Sequence, residues 1–147
     1  MPEKILYGPG GGTMRLVTHC ADTGNAHCVL ETTEPPGGGP PLHKHTREDE
    51  YFFVLEGEFT FWVDGKVIKA PARSAVFGIR NVPHTFKNCS AKQAKMLIVA
   101  TPGHVEGFFD YALPNPDGSK PTDEILIQKI ATLAPKFGIE ILGPSPL

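Results

Sequence analysis

Apolar and polar positions alternate in short runs from about residue 13 to residue 101. The runs cover 14–18, 27–32, 51–55, 59–63, 66–69, 74–78, 84–87 and 95–100. A period of two places alternate side chains on one face, which predicts strands buried on one side. Between them lie the turn-forming stretches PPGGGPP, EGE, DGK, PAR and NVP. Asp64-Gly65 joins two of the runs and predicts a two-residue hairpin, because such turns need a positive φ that glycine adopts freely. Many short strands at this spacing predict a sandwich or barrel.

Beyond residue 101 the alternation stops, and the spacing predicts helices over 105–113 and 122–137. Leu126, Ile130, Leu133 and Phe137 fall at i, i+4, i+7 and i+11, a single helical stripe. Thr122 is placed to cap the second helix ahead of Asp123 and Glu124, and Gly138 stands where a left-handed terminating residue is favoured. The segment 114–121 reads as a proline-rich link. The tail 143–147 is expected to fray, and the glycine cluster at 8–12 to form a flexible arm.

Composition narrows this picture. Glycine and proline make up 31 of 147 residues, and both disfavour helix interiors, so a long helical bundle is excluded. The chain is 40% hydrophobic and 9% aromatic, too apolar for disorder and of a length that suits a single domain over 1–147. That domain comprises a barrel core at about 13–101 and a helical segment at about 104–138. Its net charge is −2 without a run of Lys or Arg, so neither nucleic acid nor an anionic membrane is an expected partner. The N-terminus has no basic region leading into an apolar stretch, which predicts a cytoplasmic protein. Cys20, Cys28 and Cys89 form an odd set without a CxxC pair; they read as small buried apolar residues in a reducing compartment.

The chemistry concentrates in PPLHKHTREDEYFFVLEG, residues 40–57. His43 and His45 are two apart, so in a strand both imidazoles leave one face with α-carbons roughly 6.5 to 7 Å apart. A strand returning antiparallel from Glu50 sets that carboxylate beside them, with Phe52 and Val54 on the same face. Arg47, Glu48 and Asp49 then form a solvated turn. His84 follows Pro83 and opens another run, with Phe86 on its own face. Three neutral imidazoles and a carboxylate suit a divalent transition ion (Fe, Mn, Ni, Co, Cu or Zn) and leave open positions for substrate or dioxygen. Phe52, Val54, Phe61, Phe77, Phe86, Met96 and Ile98 are candidates to line a substrate pocket. Phe108, Phe109 and Tyr111 lie on a segment that either caps the barrel mouth or seals its flank. His19, His27 and His104 lack ligand spacing.

These residues resemble the paired motifs of the cupin superfamily. The first motif runs Gly, five residues, His-x-His, four residues, Glu, six residues, Gly, and is matched by Gly37, His43, His45, Glu50 and Gly57. The second is matched by His84 and Asn88, with Pro83 before the histidine, while Arg73, Ile79 and Asn81 stand where Gly, Pro and Gly are common. The whole chain, including TPGHVEGFFDYA at 101–112, resembles small single-domain cupins of the quercetin-dioxygenase-like type. The resemblance implies an all-β, cupin-type double-stranded β-helix, a jelly-roll barrel with short C-terminal helices, commonly a homodimer. It implies His43, His45, Glu50 and His84 as metal ligands and a structural role for Asn88. The expected function is a metal-dependent, dioxygenase-type oxidoreductase with a small-molecule substrate, phenolic or enolisable, in which Glu50 is ligand or general base. A metal-containing binding or sensing module without turnover and an isomerase or epimerase are the alternatives, since a fold of this kind does not dictate its reaction.

Overall fold

In a computed structural model describing residues 4–147, the alternating runs become strands of two antiparallel sheets. The first sheet has the order β1 (Leu6–Tyr7), β2 (Thr13–Thr18), β3 (Cys28–Glu34), β10 (Ala94–Thr101), β5 (Asp49–Glu56) and β8 (Ala75–Gly78). The second has the order β11 (Ile139–Gly143), β4 (Leu42–His45), β9 (His84–Lys87), β6 (Glu58–Val63) and β7 (Lys66–Pro71). From β3 to β10 the chain passes repeatedly from one sheet to the other, the jelly-roll arrangement of a cupin-type double-stranded β-helix. Met1 to Glu3, which the single-domain expectation includes, lie outside the described residues.

Period-two alternation decides what faces inward. On β3, Cys28, Leu30, Thr32 and Glu34 are buried, and on β10, Ala94, Met96, Ile98 and Ala100. On β5, Glu50, Phe52 and Val54 are buried while Tyr51 is exposed. Phe52, Phe59, Phe61 and Phe86 interlock through tilted and edge-on rings with centroids 5.2 to 5.9 Å apart. Truncating one such ring to alanine costs about 3 to 5 kcal/mol. Asp64 and Gly65 both take positive φ, 48° and 88°, and join β6 to β7 with Val63 opposite Lys66, as the hairpin signal predicts.

The C-terminal segment departs from two smooth α-helices. The first is a 3₁₀ helix, Gly103–Ala112, and its buried Val105, Phe108 and Tyr111 recur every third residue, the period of that helix. The second is α1 (Asp123–Leu133), capped by the Thr122 hydroxyl accepting from the Ile125 amide. It tightens into a 3₁₀ turn at Ala134–Phe137 because Pro135 has no N–H to continue the α-helical ladder. Gly138 ends it at φ 68°, and the chain then forms β11, a strand that the alternation does not predict.

Among the described residues, the segments near both ends are tied down. The glycine cluster is no flexible arm: it makes the turn between β1 and β2, with the Gly8 amide donating to Gly12 O at 2.9 Å and the Gly10 amide reaching an Asp123 carboxylate oxygen. The expected frayed tail is held where Lys87 Nζ donates to Leu147 O at 3.0 Å. Of the cysteines only Cys28 is buried; Cys20 is half-buried and Cys89 exposed. Among the described residues no helix is long and apolar enough to cross a membrane.

Candidate metal centre

Three strands from both sheets build the site. β4 carries His43 and His45, and β9 carries His84 directly opposite His43. β5 faces them from the other sheet and supplies Glu50. One ligand atom from each of His43, His45, Glu50 and His84 lies within 4.8 Å of all the others. The three imidazole centroids are 4.7 to 5.7 Å apart, and Phe52 packs edge-on against His84. The outer histidines His19, His27 and His104 and the three cysteines do not belong to this cluster.

The backbone around the site orients the rings. His43 Nδ1 lies 2.8 Å from Pro41 O and His84 Nδ1 3.0 Å from Val82 O. A carbonyl only accepts, so each of these Nδ1 atoms carries a hydrogen and each ring turns its Nε2 inward. His45 and His84 Nε2 both stand 2.9 Å from the same Glu50 oxygen, Oε1. Three imidazoles and a carboxylate drawn together in this way are a donor set that a divalent cation fits.

In the metal-free protein a proton partly fills this role. Burial disfavours the His45 imidazolium, but the carboxylates of Glu50 and Glu48 outweigh it and its pKa rises to about 10. His43 goes the other way: burial, with His84 and His45 adding to it, brings its pKa down to about 3. Burial alone would raise Glu50, yet His45 and His84 hold it well below the usual carboxylate range. A metal bound here would displace that proton.

Glu48 is where sequence reasoning missed a site residue. It is not in a solvated turn: only 2% of it is exposed, and its Oε1 stands 3.6 Å from His45 Nδ1, behind the ring. Neither atom has a hydrogen-bond partner. A carboxylate on the outer nitrogen of a ligating histidine fixes its tautomer and raises its basicity. The turn is pinned from the C-terminus, with the Thr46 amide and hydroxyl both donating to Gly138 O and Arg47 to Lys136 O. Asp49 points away and accepts from the Arg80 amide.

A small apolar cavity of about 90 Å³ opens onto His43, His45 and Glu50. That is the volume share of about three water molecules, below the roughly 300 to 1,000 Å³ of drug-sized ligand sites. Phe52, Phe86 and Ile98 line it, joined by Met14, Phe108, Phe109 and Tyr111. Val54, Phe61 and Met96 are completely buried in the barrel core and do not line it, and Phe77 is 52% exposed on the outside. The 3₁₀ segment thus covers the cavity, and Phe109 touches both apolar cores. Asn88 stands apart, its Nδ2 donating to Glu34 O and Lys92 O, which ties the end of β3 to the loop before β10.

The chain is similar to several known proteins. The family described as "Cupin domain" matches residues 30–100. Quercetin 2,3-dioxygenase of Bacillus subtilis is 30% identical over 95 residues, 65% of this chain but 28% of that protein. Tetracenomycin polyketide synthase protein TcmJ of Streptomyces glaucescens is 24% identical over 119 residues, covering 76% of this chain and 78% of its own. Among solved structures, the polyketide cyclase RemF of Streptomyces resistomycificus superposes with a TM-score of 0.58 at 25% identity, over 68% of this chain and 72% of that one.

Proposed function

Because the chain is a small cupin resembling quercetin-dioxygenase-like proteins, we propose that it is a metal-dependent oxidoreductase of the dioxygenase type, acting on a small phenolic or enolisable compound. The observation that carries this reading is the His43, His45, Glu50 and His84 cluster, of which His43, His45 and Glu50 line a small apolar cavity. A divalent transition ion held by these four residues would supply a Lewis-acidic centre and, if redox-active, electrons for dioxygen.

The chain's own groups do the rest. Phe52, Phe86, Ile98 and Phe109 exclude water and hold an aromatic or enolic body by its faces. Glu50 is the proton acceptor nearest to a substrate oxygen bound at the cluster. Held well below the usual carboxylate range by two imidazoles, it is a weak base and takes a proton only from a strongly acidified hydroxyl. Pro41 O and Val82 O keep His43 and His84 in the ligating tautomer throughout. A one-ring compound is close to the size of the cavity, and a larger one requires the Phe108 and Phe109 segment to move aside.

A second reading is favoured by the similarity to the polyketide cyclase RemF, 25% identical over 68% of this chain and 72% of that one: a metal-assisted cyclase that enolises its substrate without consuming oxygen. The two readings separate in one experiment. Protein loaded in turn with Fe(II), Mn(II), Ni(II), Co(II), Cu(II) and Zn(II) is followed in an oxygen electrode with quercetin and with acetylacetone. Oxygen uptake that depends on the metal and is lost in Glu50→Ala supports the dioxygenase. No uptake with any metal sinks that reading and leaves the cyclase. Tyr51 and Phe77, cross-strand partners exposed on the outer face of the six-stranded sheet, support a homodimer, whose mass light scattering would read.

A further inference from the structure

The cavity contains a second carboxyl group that the metal cluster does not use. Glu34, at the end of β3, is 6% exposed and lines the same cavity as His43, His45 and Glu50. Its Oε1 accepts from the Thr32 hydroxyl at 3.0 Å, and its Oε2 is buried with no partner. Two glycines make its slot: a β-carbon at Gly12 or at Gly38 would lie 2.3 Å from Oε2. The glycines contribute C–H groups in place of donors, so the slot gives this polar group room without satisfying it. A buried polar atom left unpaired costs about 1 to 3 kcal/mol, and the cavity is the side from which a partner can arrive.

Register places Glu34 well away from the metal end. On the shared strand β10, Glu34 pairs with Ala94 and Glu50 with Ala100, but the Glu34 carboxyl reaches back to Gly38, whose carbonyl accepts from the Asn88 amide, four residues and roughly 13 Å in strand rise from His84. Between the two ends the lining is apolar, with Phe52, Phe86, Ile98 and Met14. Tyr111, the other titratable group facing this end, has its phenol pushed up by burial and by the charge of Glu34.

We infer that Glu34, held by Thr32 between Gly12 and Gly38, is a second substrate-anchoring group, which binds the hydroxyl at the far end of a ligand whose other, oxygen-rich end sits at the histidine cluster. The ligand class is an elongated aromatic with a chelating enol or keto acid at one end and a phenolic or alcoholic hydroxyl at the other. Burial raises the Glu34 pKa to about 7, so near neutrality its carboxyl both donates and accepts, matching a hydroxyl, which does the same. This inference rests on the metal-centred reading above and adds the specificity at the opposite end.

The test uses a matched pair of probes, phenylpyruvate and 4-hydroxyphenylpyruvate, which differ only in the distal hydroxyl. Each is titrated into full-length, Co(II)-loaded protein while the visible cobalt bands are followed. The wild type is expected to bind the hydroxylated probe about tenfold more tightly, the worth of one buried hydrogen bond. Glu34→Met should bring that ratio to one while leaving phenylpyruvate affinity within about twofold, since the change removes the partner and not the metal end. Glu34→Gln, which still donates and accepts, should restore part of the preference and shows that any loss is not misfolding. Equal binding of both probes by the wild type, or a preference that survives Glu34→Met, overturns the inference and leaves the metal-centred reading standing. Cobalt bands that neither probe perturbs overturn both.

Discussion

Glu50 and Glu34 are equally buried, each 6% exposed, in the wall of one cavity, yet they hold their protons in opposite ways. Burial raises both. At Glu50 two imidazoles within 2.9 Å reverse the effect and keep the carboxylate ionised. At Glu34 the neighbours are one hydroxyl and two glycine α-carbons, and the pKa climbs to about 7. Desolvation is common to the two sites, so the neighbouring groups decide which carboxyl stays ionised, as a cation site needs, and which stays near neutral.

The sharpest way to break the contrast is to remove an imidazole from the Glu50 end. His45→Ala should take metal content, measured by elemental analysis of protein purified without chelator, from about one ion per chain to background. Wild-type protein without metal after metal-replete growth would sink the assignment of that end altogether.

The next effect is read in stability. A carboxyl with a raised native pKa contributes stability that is complete below its unfolded value of 4.5 and is lost as pH rises through about 7. Urea midpoints of the wild type, in metal-free buffer, should therefore contain a component that falls between pH 5 and pH 8, worth up to about 3 kcal/mol. Glu34→Gln should remove that component. An identical pH slope in the variant would show that Glu34 does not titrate in this range.

The smallest effect concerns the support behind the metal end. Glu48→Gln keeps the shape of the side chain but takes the negative charge from behind His45. A chelator competition should show Co(II) affinity down by about 10- to 100-fold, with stoichiometry unchanged. Unchanged affinity would reduce Glu48 to a packing residue.

Much of the fold and most of the metal end are legible in the order of residues. Alternation locates β2, β3 and β5 through β10, and parity on β5 puts Glu50 on the side of Phe52 and away from Asp49. The Asp64-Gly65 turn and the Thr122 cap also follow from local chemistry. The misses share one cause. Glu48 reads as a solvated turn residue because nothing local reveals that Gly138 and Lys136, some ninety residues on, close over that turn. β11 has no strand signal stronger than its neighbours, and only pairing with β4 makes it one. The glycines at 8–12 read as slack because their contacts, Asp123 and Glu34, lie on other elements.

The sequence by itself determined most of the barrel's strands, their inward faces and the four ligand types at their spacing, because these depend on side-chain period and on turn residues within a few positions. Tertiary structure alone decided the roles of the other two carboxyls: Glu48 behind His45 and Glu34 between glycines. A pKa and a hydrogen-bond partner depend on what stands within a few ångströms in space, and the groups that complete these sites, His84 beside Glu50, Gly12 beside Glu34 and Gly138 closing over the Glu48 turn, come from distant parts of the chain.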